Sequence, residues 1–168
     1  MAALAVLTLL SLQAWAEAPR KIAVMDCEIL DDTRQYNTAE VNEAQDKRLN
    51  LITEELKRQF TGRSLYEVVD SGLIADRIEE VKSRETFYGC NGCEVEIARH
   101  SEAERVAICW VQKVSNLILN INIQVRDVGT AEVVYGKSVD LRGNTDTSWL
   151  RGIRYMVDSI ADKEQQLK

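Results

Sequence analysis

The chain has 168 residues, with 21 Lys and Arg against 27 Asp and Glu and a net charge of −6. That balance argues against nucleic acid and anionic lipid as partners, because both call for a basic surface. A hydrophobic fraction of 45%, one proline and no internal repeat describe a folded domain with a substantial core.

The first residues read as an export signal. Met1 to Ala16 carry no charge and contain the apolar run from Leu4 to Leu10. Ala14-Trp15-Ala16 follows as a small-x-small cleavage pattern, and polar residues begin at Glu17. The run is too short to span a bilayer. The expectation is a signal peptide over residues 1–16 and a single α/β domain over residues 17–168. Signals normally open on Lys or Arg and this one does not, so its start is expected upstream or its form is atypical. In an oxidising compartment a disulfide is the default state of paired cysteines.

The segment from Lys21 to Leu30 is apolar almost throughout and stops at Asp31-Asp32, which predicts a strand covered on both faces. A helix is expected from about Lys47 to Phe60, with Leu49, Ile52, Leu56 and Phe60 as its stripe. Tyr66 to Asp70 predicts a short strand, and Ser71 a cap for a helix reaching Val81. A short helix is expected from Glu94 to His100. Arg105 to Val114 is the next strand. Leu117 to Val128 then alternates, with Leu117, Leu119, Ile121, Ile123 and Val125 facing one way and Ile118, Asn120, Asn122, Gln124 and Arg126 the other. Ser115-Asn116 fits a two-residue hairpin turn. A strand from Glu132 to Leu141 and a helix from Ser148 to Ala161, with Trp149, Ile153, Met156 and Ile160 on one face, complete the chain. This order predicts an α/β fold with a mixed sheet, parallel early and an antiparallel meander late, helices on both faces.

Gly89-Cys90-Asn91-Gly92-Cys93 is the sharpest local motif. A C-x-x-C before a helix suits thiol exchange, because exposed N–H groups stabilise a thiolate. Thioredoxin-like folds place a strand before it, whereas Arg84 to Gly89 is polar, and Pro19 is the sole proline. A static Cys90–Cys93 disulfide is therefore expected ahead of redox or metal chemistry; Cys27 and Cys109 are expected as buried free thiols first, or as a second bridge if their strands are neighbours.

Asp26, Glu28, Asp31, Asp32 and Asp70 fall at the ends of parallel strands, where α/β folds place ligands. A hard cation is conceivable there, although no Ca²⁺-loop spacing supports it and a solvated acidic rim is the plainer expectation. Asparagine is disfavoured in strands, so Asn120 and Asn122 on one face, with Gln124, Arg126 and nearby Asn116, ask for a reason. They form either a recognition surface or the wet side of a sheet. Trp110, Gln112, Arg142, Asn144, Asp146 and Trp149 are expected to flank that face, Asn144 and Asp146 serving equally well as helix caps. His100 is the only histidine, and the chain has no nucleophile elbow, phosphate loop or dinucleotide fingerprint. No cofactor and no catalysis are expected.

The strand ending in acidic residues, Tyr66-Glu-Val-Val-Asp70, the cysteine-bearing helix, and the stretches Trp110 to Asn120 and Asp140 to Trp149 resemble an uncharacterised family of small exported bacterial proteins. In outline that family is similar to the TolB amino-terminal domain and to CsgG-type periplasmic α/β domains. The likeness covers Lys21 to Val157; Ser101-Glu-Ala103 departs from it where Leu-Gly-Ala would stand. The resemblance implies a periplasmic accessory domain that binds another protein or a small ligand, linked to outer-membrane assembly or to periplasmic quinoprotein metabolism. A thiol–disulfide oxidoreductase and an acidic-rim metal binder are the alternatives.

Overall fold

Lys21-Ile-Ala-Val24 has two β-branched side chains and no turn former, and in the computed structural model it forms β1 (Lys21–Val24), inside the sheet. The structure describes residues 18–166, so the expected signal segment and its cleavage site lie outside the described residues. The strand expected over 21–30 is interrupted. β1 pairs through Ile22, Ala23 and Val24 with residues 105–107 of β4 (Arg105–Lys113), while β2 (Glu28–Leu30) pairs with residues 110–112 of the same strand. One extra residue between Val24 and Glu28 is taken up as a bulge. The long helix α1 (Ala39–Gly62) supports this kink: Thr53 Oγ1 accepts the Cys27 N–H at 2.8 Å and donates to the Leu49 carbonyl at 2.9 Å. Without that hydroxyl a buried N–H would go unpaired, at a cost of about 1–3 kcal/mol.

β3 (Glu67–Val68) lies parallel to β1 at one edge. β4, β5 (Ile118–Asp127) and β6 (Val133–Arg142) form the antiparallel meander, giving the order β3-β1-β4-β5-β6 with β2 beside β4. The alternation in β5 sets the register, because a one-residue slip would turn Leu119, Ile121, Ile123 and Val125 out of the core.

Helices lie on both faces. α1 and α4 (Asp146–Gln166) pack against Ile22, Val24, Cys109, Val111 and the β5 row. α2 (Ala75–Lys82) and α3 (Cys93–Ala98) pack over Ala23, Met25, Val106 and Ile108 on the other side. This is the expected α/β class with an open, mixed sheet. Gly152 brings α4 close: a Cβ there would stand 2.9 Å from Leu141 Cδ2 and 3.1 Å from Ile121 Cδ1.

Three local expectations change. α1 starts at Ala39, not near Lys47, with the Thr38 side chain accepting the Val41 N–H. Its first turns are mostly polar, and the one apolar residue from Glu40 to Glu43, Val41, is exposed, so they carry no apolar period. Asp70 rather than Ser71 caps the turn before α2, accepting the Gly72 N–H at 2.9 Å. Cys27 and Cys109, expected first as free thiols, form instead the second bridge that neighbouring strands allow. The Glu28–Trp110 register sets them side by side, with Cα atoms 4.6 Å apart, inside disulfide reach.

Candidate functional site

The cover supplied by α2 and α3 ends at Trp110, where the β4 row changes from Val106 and Ile108 to Trp110 and Gln112. The strand register then builds a polar surface. Trp110 stands opposite Asn122, Gln112 opposite Asn120, and both asparagines continue across to Ser138 and Asp140 on β6. Asn120, Asn122 and Gln124 are half-buried, while Gln112, Gly136, Ser138 and Asp140 are exposed. The Asn122 amide donates to Asn120 Oδ1 at 2.8 Å, and Arg126 Nε donates to Gln124 Oε1 at 3.0 Å. Amides fixed in this way hold defined donors and acceptors outward at low entropic cost. Six of the expected residues, Trp110, Gln112, Asn120, Asn122, Gln124 and Arg126, are thus brought together. Arg142 continues the surface opposite Ile118, and Asn116 sits at the exposed hairpin tip.

Three others lie elsewhere. Trp149 is fully buried in the core shared by α1 and α4, and its Nε1 donates to Asn144 Oδ1 at 3.0 Å. Arg48 reaches Asn144 Oδ1 at 3.3 Å and Asp146 Oδ1 at 2.7 Å, tying both to α1. Neither residue is the cap of α4: Thr145 and Ser148 exchange backbone-to-side-chain bonds at 3.1 and 3.2 Å.

The acidic residues do not converge on one point. Asp31 forms an enclosed ion pair with Lys113 at 2.8 Å, their side chains 0% and 3% exposed. Its carboxyl is held below the ordinary range, because the Lys113, Thr33 and Asn37 hydrogen bonds outweigh the largest single influence, burial. Asp26 pairs with Lys82 at 3.0 Å, and Glu28 accepts the Phe87 and Tyr88 N–H groups at 2.9 and 3.4 Å. Burial pushes the Glu28 carboxyl up. Asp32 is exposed and Asp70 is a cap. Each engaged carboxylate already has protein donors, which leaves no shared site for a hard cation. His100 is exposed and bound through Nδ1 to the Glu96 carbonyl.

Cys90 and Cys93 are joined. Cys90 borders a cleft of about 190 Å³ lined by Tyr88, Asn91, Glu94, Trp110, Gln124 and Arg126 among others. Tyr88 lies over Trp110 with ring centroids 4.6 Å apart. Glu94 is buried and pairs with Arg126 Nε at 3.0 Å. Burial pushes its carboxyl up, with the Arg126 charge and nearby N–H groups opposing. Tyr88 and Glu94 were missed from sequence. The only trace of Glu94 is its four-residue spacing from Cys90 and Ala98, too little to assign a face on a six-residue helix.

The architecture is that of a half-covered mixed sheet, and it is shared with the C-terminal domain of LpoB. The Salmonella enterica domain matches with a TM-score of 0.50 at 15% identity, over 77% of this chain and 87% of that one. The Escherichia coli domain matches at 0.51 and 16%, over 76% and 85%. TolB from Acinetobacter baumannii gives 0.49 and 10%, over 85% of this chain and 27% of TolB, too low to carry an argument. No curated protein matches the chain in sequence. Residues 20–160 match the DUF3280 family model, described as "Protein of unknown function (DUF2380)", and the chain belongs to that family.

Proposed function

We propose that this protein is an exported, non-enzymatic accessory domain of the periplasm that recognises another protein or a small ligand through the open half of its sheet. One observation carries this reading: the row Gln112–Asn120–Asp140 beside Trp110–Asn122–Ser138 is registered, hydrogen-bonded and left accessible. Surface strands have no need of asparagine, and a half-buried aromatic beside ordered amides is the composition of a recognition patch. The resemblance to exported proteins and the fold shared with the LpoB domains support an envelope role, and outer-membrane assembly or quinoprotein metabolism is the setting the resemblance suggests. Among the described residues no helix is long and apolar enough to cross a membrane.

The test is capture from periplasmic extract with wild type and with the double variant Asn120→Thr/Asn122→Thr. Threonine suits strands, so the fold is kept while the amide pattern is lost. At least a tenfold loss of the captured species is expected, the effect of about 1.4 kcal/mol. Equal capture by both proteins would sink the reading. Mass spectrometry of the exported protein should give Glu17 as its first residue.

A further inference from the structure

We propose that the Cys90–Cys93 bridge is a redox switch opened by an external dithiol, with Glu94 as the proton donor to Cys90. The two disulfides of this protein sit in different surroundings. Cys27 and Cys109 are both buried in the core beneath α1. Cys93 is only half-buried, and Cys90 lines the cleft from the inside.

Glu94 supplies the second observation. Its side chain belongs to a residue 1% exposed. One carboxyl oxygen, Oε1, is held by Arg126, and the other, Oε2, faces Cys90 Sγ at 3.7 Å. A disulfide sulfur carries no hydrogen, so while the bridge is closed this contact is not a hydrogen bond. A Cys90 thiol would make it one. Both sulfurs and a Glu94 oxygen lie within 4.8 Å of one another. The carboxyl is thus placed where the leaving sulfur needs a proton. Burial, which pushes the Glu94 carboxyl up, keeps more of it in the acid form than a solvated glutamate would have.

The exchange balances as follows. A thiolate of the dithiol attacks Cys93 Sγ, the more accessible sulfur; the Cys90–Cys93 bond breaks and its electron pair stays on Cys90 Sγ. Cys90 takes the proton of Glu94, leaving a carboxylate beside Arg126. The second thiolate of the dithiol then attacks its own sulfur in the mixed disulfide, and Cys93 leaves as a thiolate that is protonated by water. The dithiol is oxidised to a disulfide, the protein bridge is reduced to two thiols, and Glu94 regains its proton from solvent. Opening the bridge frees the loop that holds Tyr88 over Trp110, so the redox state reaches the edge of the open sheet face. The switch stands whether or not that face binds a partner.

Peptide-resolved alkylation mass spectrometry follows both bridges in one sample during reduction by dithiothreitol from pH 5 to pH 9. Cys90–Cys93 is expected to open at least tenfold faster than Cys27–Cys109. The titratable and charged groups facing the Glu94 carboxyl are Arg126 from β5 and Tyr88 from the loop; Glu96 and Arg99 of α3 pair with each other in solvent. Only the acid form of Glu94 donates. In wild type the rate, divided by the thiolate concentration of the reagent, should therefore fall as pH rises through the Glu94 titration. Glu94→Gln should slow the opening at least tenfold at pH 6, where general-acid assistance is typically worth about a hundredfold or more, and flatten the profile. Glu94→Asp should restore the slope, and Cys27–Cys109 should respond to neither change. A flat wild-type profile overturns the proposal without reference to any variant. An unchanged rate and profile in folded Glu94→Gln, or equal rates for the two bridges, does the same.

Discussion

The two faces of the sheet are made by the same strands and treated in opposite ways. Under α1 and α4 the β5 row Leu119, Ile121, Ile123 and Val125 meets Leu56, Phe60, Trp149, Ile153 and Met156 in one continuous core, with a cleft of about 320 Å³ left toward the β6 edge, beside Leu141 and Gly152. Most polar groups on that side are absorbed, the buried Tyr135 hydroxyl being an exception. Glu55 takes Arg58 and Arg154, each at 2.8–2.9 Å, and Thr53 supports the Cys27 backbone. On the opposite face the helices stop at Trp110, and the next residues on β4, β5 and β6 are amides, a hydroxyl and a carboxylate. The closed face supplies the larger buried core, and recognition is the role proposed for the ordered amides of the open one.

The largest expected break of this contrast is Trp149→Ala. It empties the space of a fully buried indole between α1, α4 and the sheet and leaves Asn144 Oδ1 with the longer Arg48 bond alone. A loss of about 3–5 kcal/mol is expected in urea unfolding. A loss below about 1 kcal/mol would mean that α4 is loosely held and that the closed face is not the principal core.

Acid should act on the closed face next. The Arg58 hydrogen bonds, followed by those from Arg154 and Gln59, bring the Glu55 carboxyl from 4.5 to about 2 despite its burial. A folded-state value below the unfolded one contributes stability that is fully present above about pH 4.5 and lost as pH falls through about 2. Asp31, depressed in the same sense, loses its stabilising contribution in the same direction. With both arginines of the Glu55 network more than half exposed, the Glu55 share is on the order of 2 kcal/mol. Urea midpoints of wild type and Glu55→Gln between pH 2 and pH 7 measure it. The two curves should converge on the acid side; a constant separation across the range would assign the effect to lost packing.

How far the sequence discloses this arrangement follows from the range of the signal. The alternation of β5 lies within one strand and reads directly as two faces, so Asn120, Asn122, Gln124 and Arg126 are placed correctly without a structure. The stripe of α1 reads equally well, but its first turns, being solvent-facing, do not. The Cys27–Cys109 bridge depends on a bulge and on which strand lies beside β2, and neither is encoded locally. Trp149 reads in sequence both as part of the apolar stripe of α4 and as a flank of the open face, and only the first holds. The connection at Gly143, with φ of +89°, instead turns the chain back so that α4 covers the other side. Glu94 has the composition of a surface residue, and only the fold of the Cys90 loop over β4 buries it.

The smallest expected effect separates the two faces most sharply. Asn120→Thr/Asn122→Thr removes one amide pair from half-buried positions and substitutes residues with better strand propensity. If the row exists for recognition, folding loses almost nothing, and the unfolding free energy should stay within about 0.5 kcal/mol of wild type. A loss approaching 2 kcal/mol would place the asparagines among the groups that hold β5 to β4, since Asn122 also reaches the Trp110 carbonyl at 3.5 Å. That contact is too long to be a strong hydrogen bond. The sheet should therefore tolerate its loss, and a protein that keeps its stability while losing its captured partner would show that this face is held out for something other than folding.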